Sequence, residues 1–179
     1  DAPHIVGHSI GGMVAQEFCA TYPERLKSLV LSATSPAFGN PDGDFQKSFV
    51  AARLKPLDAG NTMADVAAGV VPELIGDDAD PDGVALAKSC MSKVPPETYR
   101  KTMTCLVTFD RRDALKRIPV PTLALAGEKD TNAPAPMMER MAGRIPGASY
   151  ACLKGAGHLA NMEQPKAFVA AVRRFLETI

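Results

Sequence analysis

The order of apolar and polar positions predicts alternating strands and helices at the start of the chain. A short extended apolar run at residues 3–6 precedes a helical pattern that begins near Gly11 and is stopped by Pro23. Residues 26–33 then contain three consecutive aliphatic side chains, which is typical of a strand covered on both faces. A helix between two such strands forms a βαβ unit, so we expect a parallel sheet.

The same alternation returns after residue 118. Residues 122–126 predict a buried strand that ends in the sequence GEKD, and a helix is predicted over about residues 136–144. A further strand is predicted over residues 149–153. The chain ends in an amphipathic helix.

Residues 34–118 contain no convincing strand and four amphipathic helical patterns. Thr62 and Asp65 resemble a capping box at the start of the second pattern, and Pro96 fits the first turn of the fourth. We expect these helices to form a cap over the sheet edge rather than a domain with its own core. The predicted division is therefore a core segment at 1–35, a helical cap at 36–118 and a second core segment at 119–179. Three cap methionines either line a pocket or pack the cap helices together, and the sequence leaves both open: Met63, Met91 and Met103.

Composition excludes several classes of partner. The 20 basic and 20 acidic side chains balance and form no basic cluster, which argues against nucleic acid or an anionic membrane surface. No apolar run approaches the length of a membrane span.

The histidines have no ligand partners at metal-binding spacing, so we expect neither a metal nor another cofactor. The four widely separated cysteines favour reduced, mostly buried thiols in a cytoplasmic protein, while the oligomeric state, a homo-oligomer included, stays open.

The turn between the first strand and the first helix has the form G-x-S-x-G. It consists of Gly7, Ser9 and Gly11, with Gly12 directly after it. Glycines flank the serine in such a turn because the serine backbone is strained and the helix must approach the strand closely. The helix then directs free N–H groups and its positive dipole end at any negative charge that develops beside the serine oxygen.

Two further strand ends carry the partners that a nucleophilic serine needs. A histidine must take the hydroxyl proton, and a carboxylate must hold that histidine in the right tautomer. Because reactive groups gather at the carboxyl ends of parallel strands, we expect Ser9, Asp130 and His158 to meet there, in the chain order that accompanies this turn. Glu128 and Asp42 stay open as alternatives for the acid.

The other two histidines are weaker candidates for the base. His4 precedes the nucleophile strand. His8 is expected to point to the other side of the turn from Ser9 and to have a structural role there.

With these motifs in place, the whole chain resembles the C-terminal two-thirds of an α/β-hydrolase. Residues 118–123 (IPVPTL) and 157–165 (GHLANMEQP) are similar to the 3-oxoadipate enol-lactonases, to related carboxylesterases and to the C–C bond hydrolases of aromatic breakdown. The resemblance implies a mostly parallel sheet with a helical cap inserted after the strand that follows the nucleophile. It also implies roles: Ser9 as nucleophile, His158 as general base and then acid, Asp130 as orienting carboxylate and the Ile10 N–H as one oxyanion donor.

In the resembled family, roughly 80–90 further residues precede the nucleophile strand, within the usual range of domain sizes. They supply the first strands and the loop that carries the second oxyanion donor. The resemblance therefore implies that an N-terminal segment of the same protein is missing from this chain and would pair with it. Without that segment, the strand containing Ile5 and Val6 is expected to be an apolar open edge.

The predicted function is cleavage of a small ester or lactone through an acyl-enzyme. The apolar cap favours a modest, largely hydrophobic substrate, and Arg53, Lys55 and Arg100 are candidates for holding a carboxylate, although such side chains are usually solvated. Alternatives are a C–C bond hydrolase acting on aromatic ring-fission products and a cofactor-free haloperoxidase or perhydrolase. A non-catalytic binding protein is the least favoured, because binding alone would not require all three residues.

Overall fold

Four parallel strands form the sheet that positions the candidate site. The computed structural model describes residues 2–179, and its strands lie side by side in chain order. They are β1 (His4–His8), β2 (Ser28–Ser32), β3 (Thr122–Gly127) and β4 (Ser149–Leu153). The register places Val30 opposite both Val6 and Leu123, and every neighbouring pair is parallel. The parallel sheet predicted from the βαβ pattern is confirmed.

The helices agree with the predicted pattern with one addition. They are α1 (Ile10–Thr21), α2 (Asp44–Asp58), α3 (Met63–Val70), α4 (Pro81–Ser92), α5 (Pro96–Leu106), α6 (Ala135–Ala142), α7 (Ala160–Glu163) and α8 (Pro165–Leu176). Short 3₁₀ segments occupy Pro23–Arg25, Val71–Leu74 and Leu115–Arg117. The addition is α7, a single turn that the sequence pattern leaves unassigned.

Helices cover both faces of the sheet. On one face, α1 and α6 pack against β2 and β3 through a large apolar cluster that includes Cys19, Leu29 and Met138. On the other face, α8 packs through Phe175 against Val30 and its neighbours. The central strand β2 is buried along its whole length, which explains its run of aliphatic residues.

Helices α2 to α5 follow β2 and precede β3, and within residues 34–118 the only β-pairing is an isolated bridge between Ala37 and Asp110. Thr62 and Asp65 form the predicted capping box at the start of α3. The four helices share an apolar cluster of their own, centred on Met63 and Tyr99. The cluster forms because amphipathic helices bury their apolar sides against one another, and the division of the chain into core, cap and core stays a prediction.

Two further observations concern the surface. Strand β1 lies at one edge of the described sheet, and the Val6 side chain on it is 50% exposed. Among the helices of residues 2–179, none combines the length and apolar character needed to cross a bilayer.

The expectation of mostly buried thiols is wrong. All four cysteines are unpaired, but only Cys19, on α1 against the sheet, is buried. Cys90 and Cys105 lie on exposed positions of cap helices, and Cys152 lies on the outer strand β4, where its side chain is exposed.

Candidate active site

Ser9 lies in the turn between β1 and α1 with a strained backbone. Its φ is 51° and its ψ is −120°, a region that residues other than glycine rarely adopt. The strain is held in place because the Ser9 N–H donates to the Ser32 carbonyl (2.9 Å) and the Ser9 carbonyl accepts from Gly12 (2.9 Å). The Ser9 side chain is thereby presented at the carboxyl end of β1.

The glycines around this turn are not equivalent. A Cβ on Gly7 would lie 2.5 Å from the Gly11 carbonyl oxygen and 2.8 Å from the Ala15 Cβ, so only glycine lets α1 approach β1 here. A Cβ on Gly11 would meet nothing within 4 Å. The close approach instead involves Gly12, where a Cβ would lie 2.6 Å from the Thr34 Cβ. Sterics therefore explain Gly7 and Gly12 but not Gly11.

The structure brings Ser9, Asp130 and His158 into one hydrogen-bonded chain. His158 Nδ1 lies 2.8 Å from Asp130 Oδ2, and His158 Nε2 lies 2.8 Å from Ser9 Oγ. A carboxylate can only accept, so Nδ1 carries the proton and Nε2 accepts the Ser9 O–H. Asp130 is 5% exposed and His158 is 7% exposed, and Ser9 and His158 are the two members that line the cavity.

The loop after β3 holds Asp130 ready for this contact. Its Oδ1 accepts from the backbone N–H groups of Asn132 (2.8 Å) and Ala133 (3.0 Å), which leaves Oδ2 for His158. Burial by itself would raise the pKa of the Asp130 carboxyl, but the hydrogen bond and charge of His158 and the two backbone N–H groups outweigh it and hold the pKa below its usual value. Asp130 is ionised at neutral pH.

Neither alternative acid is hydrogen-bonded to His158. Glu128 is exposed and accepts from the Gly155 N–H at 2.9 Å. Asp42 lies on the exposed segment before α2. Asp130 alone among the three candidates bonds the imidazole.

The expected direction of the His8 side chain is wrong, while its structural role stays a prediction. Its ring does not point away from the site but lies against His158, with the two centroids 5.2 Å apart. Burial, reinforced by the neighbouring His158, lowers the pKa of His8 to about 4, so the ring is neutral at pH 7. Its buried Nδ1 has no hydrogen-bond partner among the described residues. In a regular strand successive side chains point to opposite sides, and the expectation for His8 assumed this pattern. The sharp turn at Ser9 breaks it and directs both side chains to the same edge of the sheet.

The Ile10 N–H begins α1 directly after Ser9. As the first N–H of the helix it has no intrahelical acceptor. It lies at the positive end of the helix dipole beside Ser9, and its role as oxyanion donor stays a prediction.

A cavity of about 620 Å³ opens at Ser9 and His158 between the sheet and the cap. Its wall is mainly apolar and includes Phe45, Phe49 and Leu106 from the cap helices. Met91 and Met103 line it and also pack against the cap cluster, so both interpretations apply to them, whereas Met63 belongs to the cap cluster and does not line the cavity. A depression of about 650 Å³ elsewhere is lined by charged side chains such as Arg111 and contains none of the three hydrogen-bonded residues.

Glu163 is a residue for which the sequence predicts no role. It is 3% exposed, and its Oε2 accepts from two backbone N–H groups, one on Gly157 directly before His158 and one on Gly76 after the 3₁₀ segment Val71–Leu74. Its Oε1 has no partner among the described residues. The sequence signal that could have pointed to Glu163 is a carboxylate five residues after the histidine and two residues before the proline that starts α8.

Within residues 2–179, no group of three or more histidine, cysteine or carboxylate side chains is arranged to hold a metal ion.

A parallel sheet flanked by helices, a strained serine after its first strand and a histidine–carboxylate pair at two later strand ends define the α/β-hydrolase fold. Residues 1–172 match the Alpha/beta hydrolase family, and the chain belongs to that family.

Named relatives are similar over almost the whole chain. The protein named carbamate hydrolase RutD of Pseudomonas syringae pv. syringae (strain B728a) is 30% identical, with 98% of this chain and 68% of the relative covered. A thermophilic esterase from Thermogutta terrifontis, solved with malate bound, is 27% identical with a TM-score of 0.85, covering 98% of this chain and 64% of that one. The enol-lactonase from Burkholderia xenovorans LB400 is 26% identical with a TM-score of 0.83, covering 96% and 64%. The chain thus spans less than two-thirds of the length of both solved structures.

Proposed function

We propose that the protein is a serine hydrolase that cleaves a small ester or lactone through an acyl-enzyme. The observation that carries the proposal is the chain of two 2.8 Å contacts from Asp130 through His158 to Ser9. The esterase and the enol-lactonase named above support it, because both are hydrolases of this fold.

In the first half of the proposed reaction, Ser9 Oγ attacks the carbonyl carbon while His158 Nε2 takes the hydroxyl proton. The negative oxygen of the tetrahedral intermediate accepts from the Ile10 N–H. The intermediate collapses as His158 gives its proton to the leaving alkoxide, and the acyl group stays on Ser9. Asp130 stabilises the imidazolium that exists between the two proton transfers.

In the second half, water attacks the acyl carbon and His158 Nε2 takes a water proton. Collapse of the second intermediate returns that proton to Ser9 Oγ and releases the carboxylic acid. A lactone follows the same steps, with the leaving alkoxide staying attached to the acyl product.

The cavity supports a small and largely apolar substrate. Its volume of about 620 Å³ is within the range of small-molecule sites, and aromatic and methionine side chains form most of the cap side. Hydrolysis of a C–C bond in an aromatic ring-fission product and a peroxide-dependent halogenation remain the alternatives. We also propose a reducing, cytoplasmic location, since three exposed cysteines are unpaired.

A fluorophosphonate probe tests the proposed nucleophile. Intact mass and peptide mapping of the full chain should show a single adduct on Ser9, and the Ser9→Ala variant should show none. The matched control is Ser35→Ala, which removes another serine that lines the same cavity and should leave labelling unchanged. An adduct on Ser35, or ester hydrolysis that survives Ser9→Ala, would overturn the assignment.

A substrate panel then separates the alternatives. Short p-nitrophenyl esters and a simple lactone should be hydrolysed without additives. Activity confined to ring-fission products, or bromination that requires peroxide and bromide without ester hydrolysis, would favour the corresponding alternative instead.

A further inference from the structure

The cavity at Ser9 contains one permanently charged side chain. Every other residue in its lining is apolar, hydroxylated, an amide or the His158 imidazole, and Arg53 on α2 is the exception. A guanidinium is charged at any physiological pH. Because an unpaired charge is costly in a mainly apolar cavity, we expect an anion to pair with this cation.

The Arg53 side chain is largely buried and contacts an aromatic ring, but its positive charge is only weakly paired. Its side chain is 18% exposed, and its guanidinium carbon lies 5.4 Å from the centroid of the Phe49 ring, one helical turn earlier. Its one recorded acceptor in residues 2–179 is Glu73 Oε2, 3.5 Å from Nη1. The Glu73 side chain is 69% exposed, so this pair is weak and screened by solvent. Glu73 lines a neighbouring depression and not the cavity at Ser9, and the other N–H donors of Arg53 have no acceptor within residues 2–179.

Tyr99 is a further polar residue in the lining of the same cavity. It is 7% exposed and belongs to the cap cluster. Burial raises the pKa of its phenol and outweighs the lowering by the charge of Arg53, so the hydroxyl is neutral at pH 7. Because Tyr99 and Arg53 line the same cavity, this hydroxyl can donate to an anion bound there.

The other two cations considered from the sequence lie outside the cavity. Lys55 is exposed on α2 and does not contribute to the lining. Arg100 is paired with Asp58 at 2.5 Å and does not contribute to it either. The structure thus separates Arg53 from two residues that the sequence could not distinguish from it.

We propose that Arg53 is an anion subsite that selects substrates with a carboxylate at the far end of an apolar chain, such as half-esters of linear dicarboxylic acids. This inference rests on the proposed hydrolase function. The carboxylate replaces Glu73 and binds two N–H groups of the guanidinium fork, while the apolar chain lies along the aromatic and methionine wall. A carboxylate fits better than a phosphate because one negative charge balances the single cation, and a second charge would be left unpaired in an apolar cavity.

The test compares matched esters that differ only at the far end. Monomethyl succinate, adipate and suberate are the anionic series, and methyl esters with an isopropyl group in place of each carboxylate are the neutral series. At one chain length, the wild-type kcat/KM should favour the anionic ester by roughly tenfold or more, because a site built for a polar group discriminates strongly against its absence.

Three variants assign that preference to Arg53. Arg53→Gln should lower kcat/KM for the anionic ester by roughly 10–100-fold and leave the neutral ester within about twofold. For the anionic ester, kcat/KM of Arg53→Lys should lie between those of wild type and Arg53→Gln, because an ammonium keeps the charge but lacks the bidentate fork. Arg100→Gln is the matched control and should change neither series. Equal losses on both series with Arg53→Gln would mean a structural role and would overturn the proposal.

A binding measurement keeps this test independent of turnover. Calorimetry with adipate on the Ser9→Ala variant should show binding that Arg53→Gln abolishes and that Arg100→Gln retains. If Ser9 is not labelled and no ester is cleaved, the proposed function fails. Adipate binding that depends on Arg53 would still support the anion subsite, and its absence would overturn it. If neutral esters are cleaved, with neither anionic preference nor adipate binding, the subsite proposal alone is overturned.

Discussion

The backbone N–H of Gly157 donates to Glu163 Oε2 at 2.8 Å, so a buried carboxylate holds the residue directly before His158. The same oxygen accepts from the Gly76 N–H at 2.6 Å. The His158 N–H in turn donates to the Leu74 carbonyl at 2.7 Å. The loop that carries the histidine is therefore joined to the cap segment at residues 74–76, and Glu163 is the side chain that joins them.

Glu163→Gln should lower kcat by about tenfold with little change in KM, and Glu163→Ala should lower it further. The physical reason is that weakening or removing this acceptor lets the His158 loop shift, and a small misplacement of a reacting group has a large effect on rate. Leaving the buried Gly157 N–H and the part-buried Gly76 N–H without this acceptor in the alanine variant should also lower the free energy of unfolding by about 2–4 kcal/mol. Steady-state kinetics and denaturant unfolding measure both effects.

The matched control for Glu163 is Gln164→Ala. It removes an exposed hydrogen bond from Gln164 Nε2 to the Lys154 carbonyl on the other side of the same loop. Its kcat should stay within about twofold of wild type, as is usual for exposed substitutions. A Glu163→Ala variant that unfolds more easily but keeps its kcat would show that Glu163 stabilises the fold without positioning His158.

Asp130→Asn should reduce kcat by about 10³–10⁴-fold while the protein stays folded. An amide keeps the size of the side chain but favours the wrong histidine tautomer and cannot stabilise the imidazolium. Glu128→Gln and Asp42→Asn are the matched controls, since both remove a carboxylate that does not bond His158, and each should leave kcat nearly unchanged. A large loss in either control, with Asp130→Asn active, would reassign the acid.

His8 should make the protein less stable as the pH falls from 6.5 to about 4. Its pKa is about 4 in the folded chain, below the ordinary value of 6.5, so the unfolded chain binds the proton more readily over this interval. The penalty is absent above pH 6.5 and grows to about 3 kcal/mol at pH 4. Denaturant unfolding at several pH values should show that His8→Phe removes this part of the pH dependence. Parallel curves for the two proteins would contradict the buried, neutral His8.

Gly12→Ala and Gly11→Ala should have opposite effects on stability. At Gly12 the new methyl group would overlap Thr34, and overpacking of this kind lowers the free energy of unfolding by about 1–3 kcal/mol. At Gly11 the space is open, and alanine in a helix should raise the free energy of unfolding by about 0.5–1 kcal/mol. Thermal unfolding of both variants checks this, and Gly12→Ala combined with Thr34→Gly should recover part of the loss. Equal destabilisation by both changes would mean that the whole turn requires glycine.

Much of the fold follows from local sequence patterns. Strand β4 spans the predicted residues, and the Thr62–Asp65 capping box and the proline that starts α5 lie where the sequence places them. These features depend on hydrophobic period and on turn and capping residues within a few positions, so a single sequence contains the information. The short helix α7 is missed because one turn is too brief to show a period.

The sequence by itself determined the α/β-hydrolase class, the order of its elements and the candidates Ser9, Asp130 and His158, because each is marked by a local motif at a strand end. Only the tertiary structure decided which groups touch. Ser9 and His158 are 149 positions apart, and Gly76 and Glu163 are 87 apart, so no local pattern reports their contacts. The same holds for His8 against His158 and for Arg53 in the cavity wall. Their environment is set by the packing of distant segments, which fixes burial, charge pairing and the direction of each side chain.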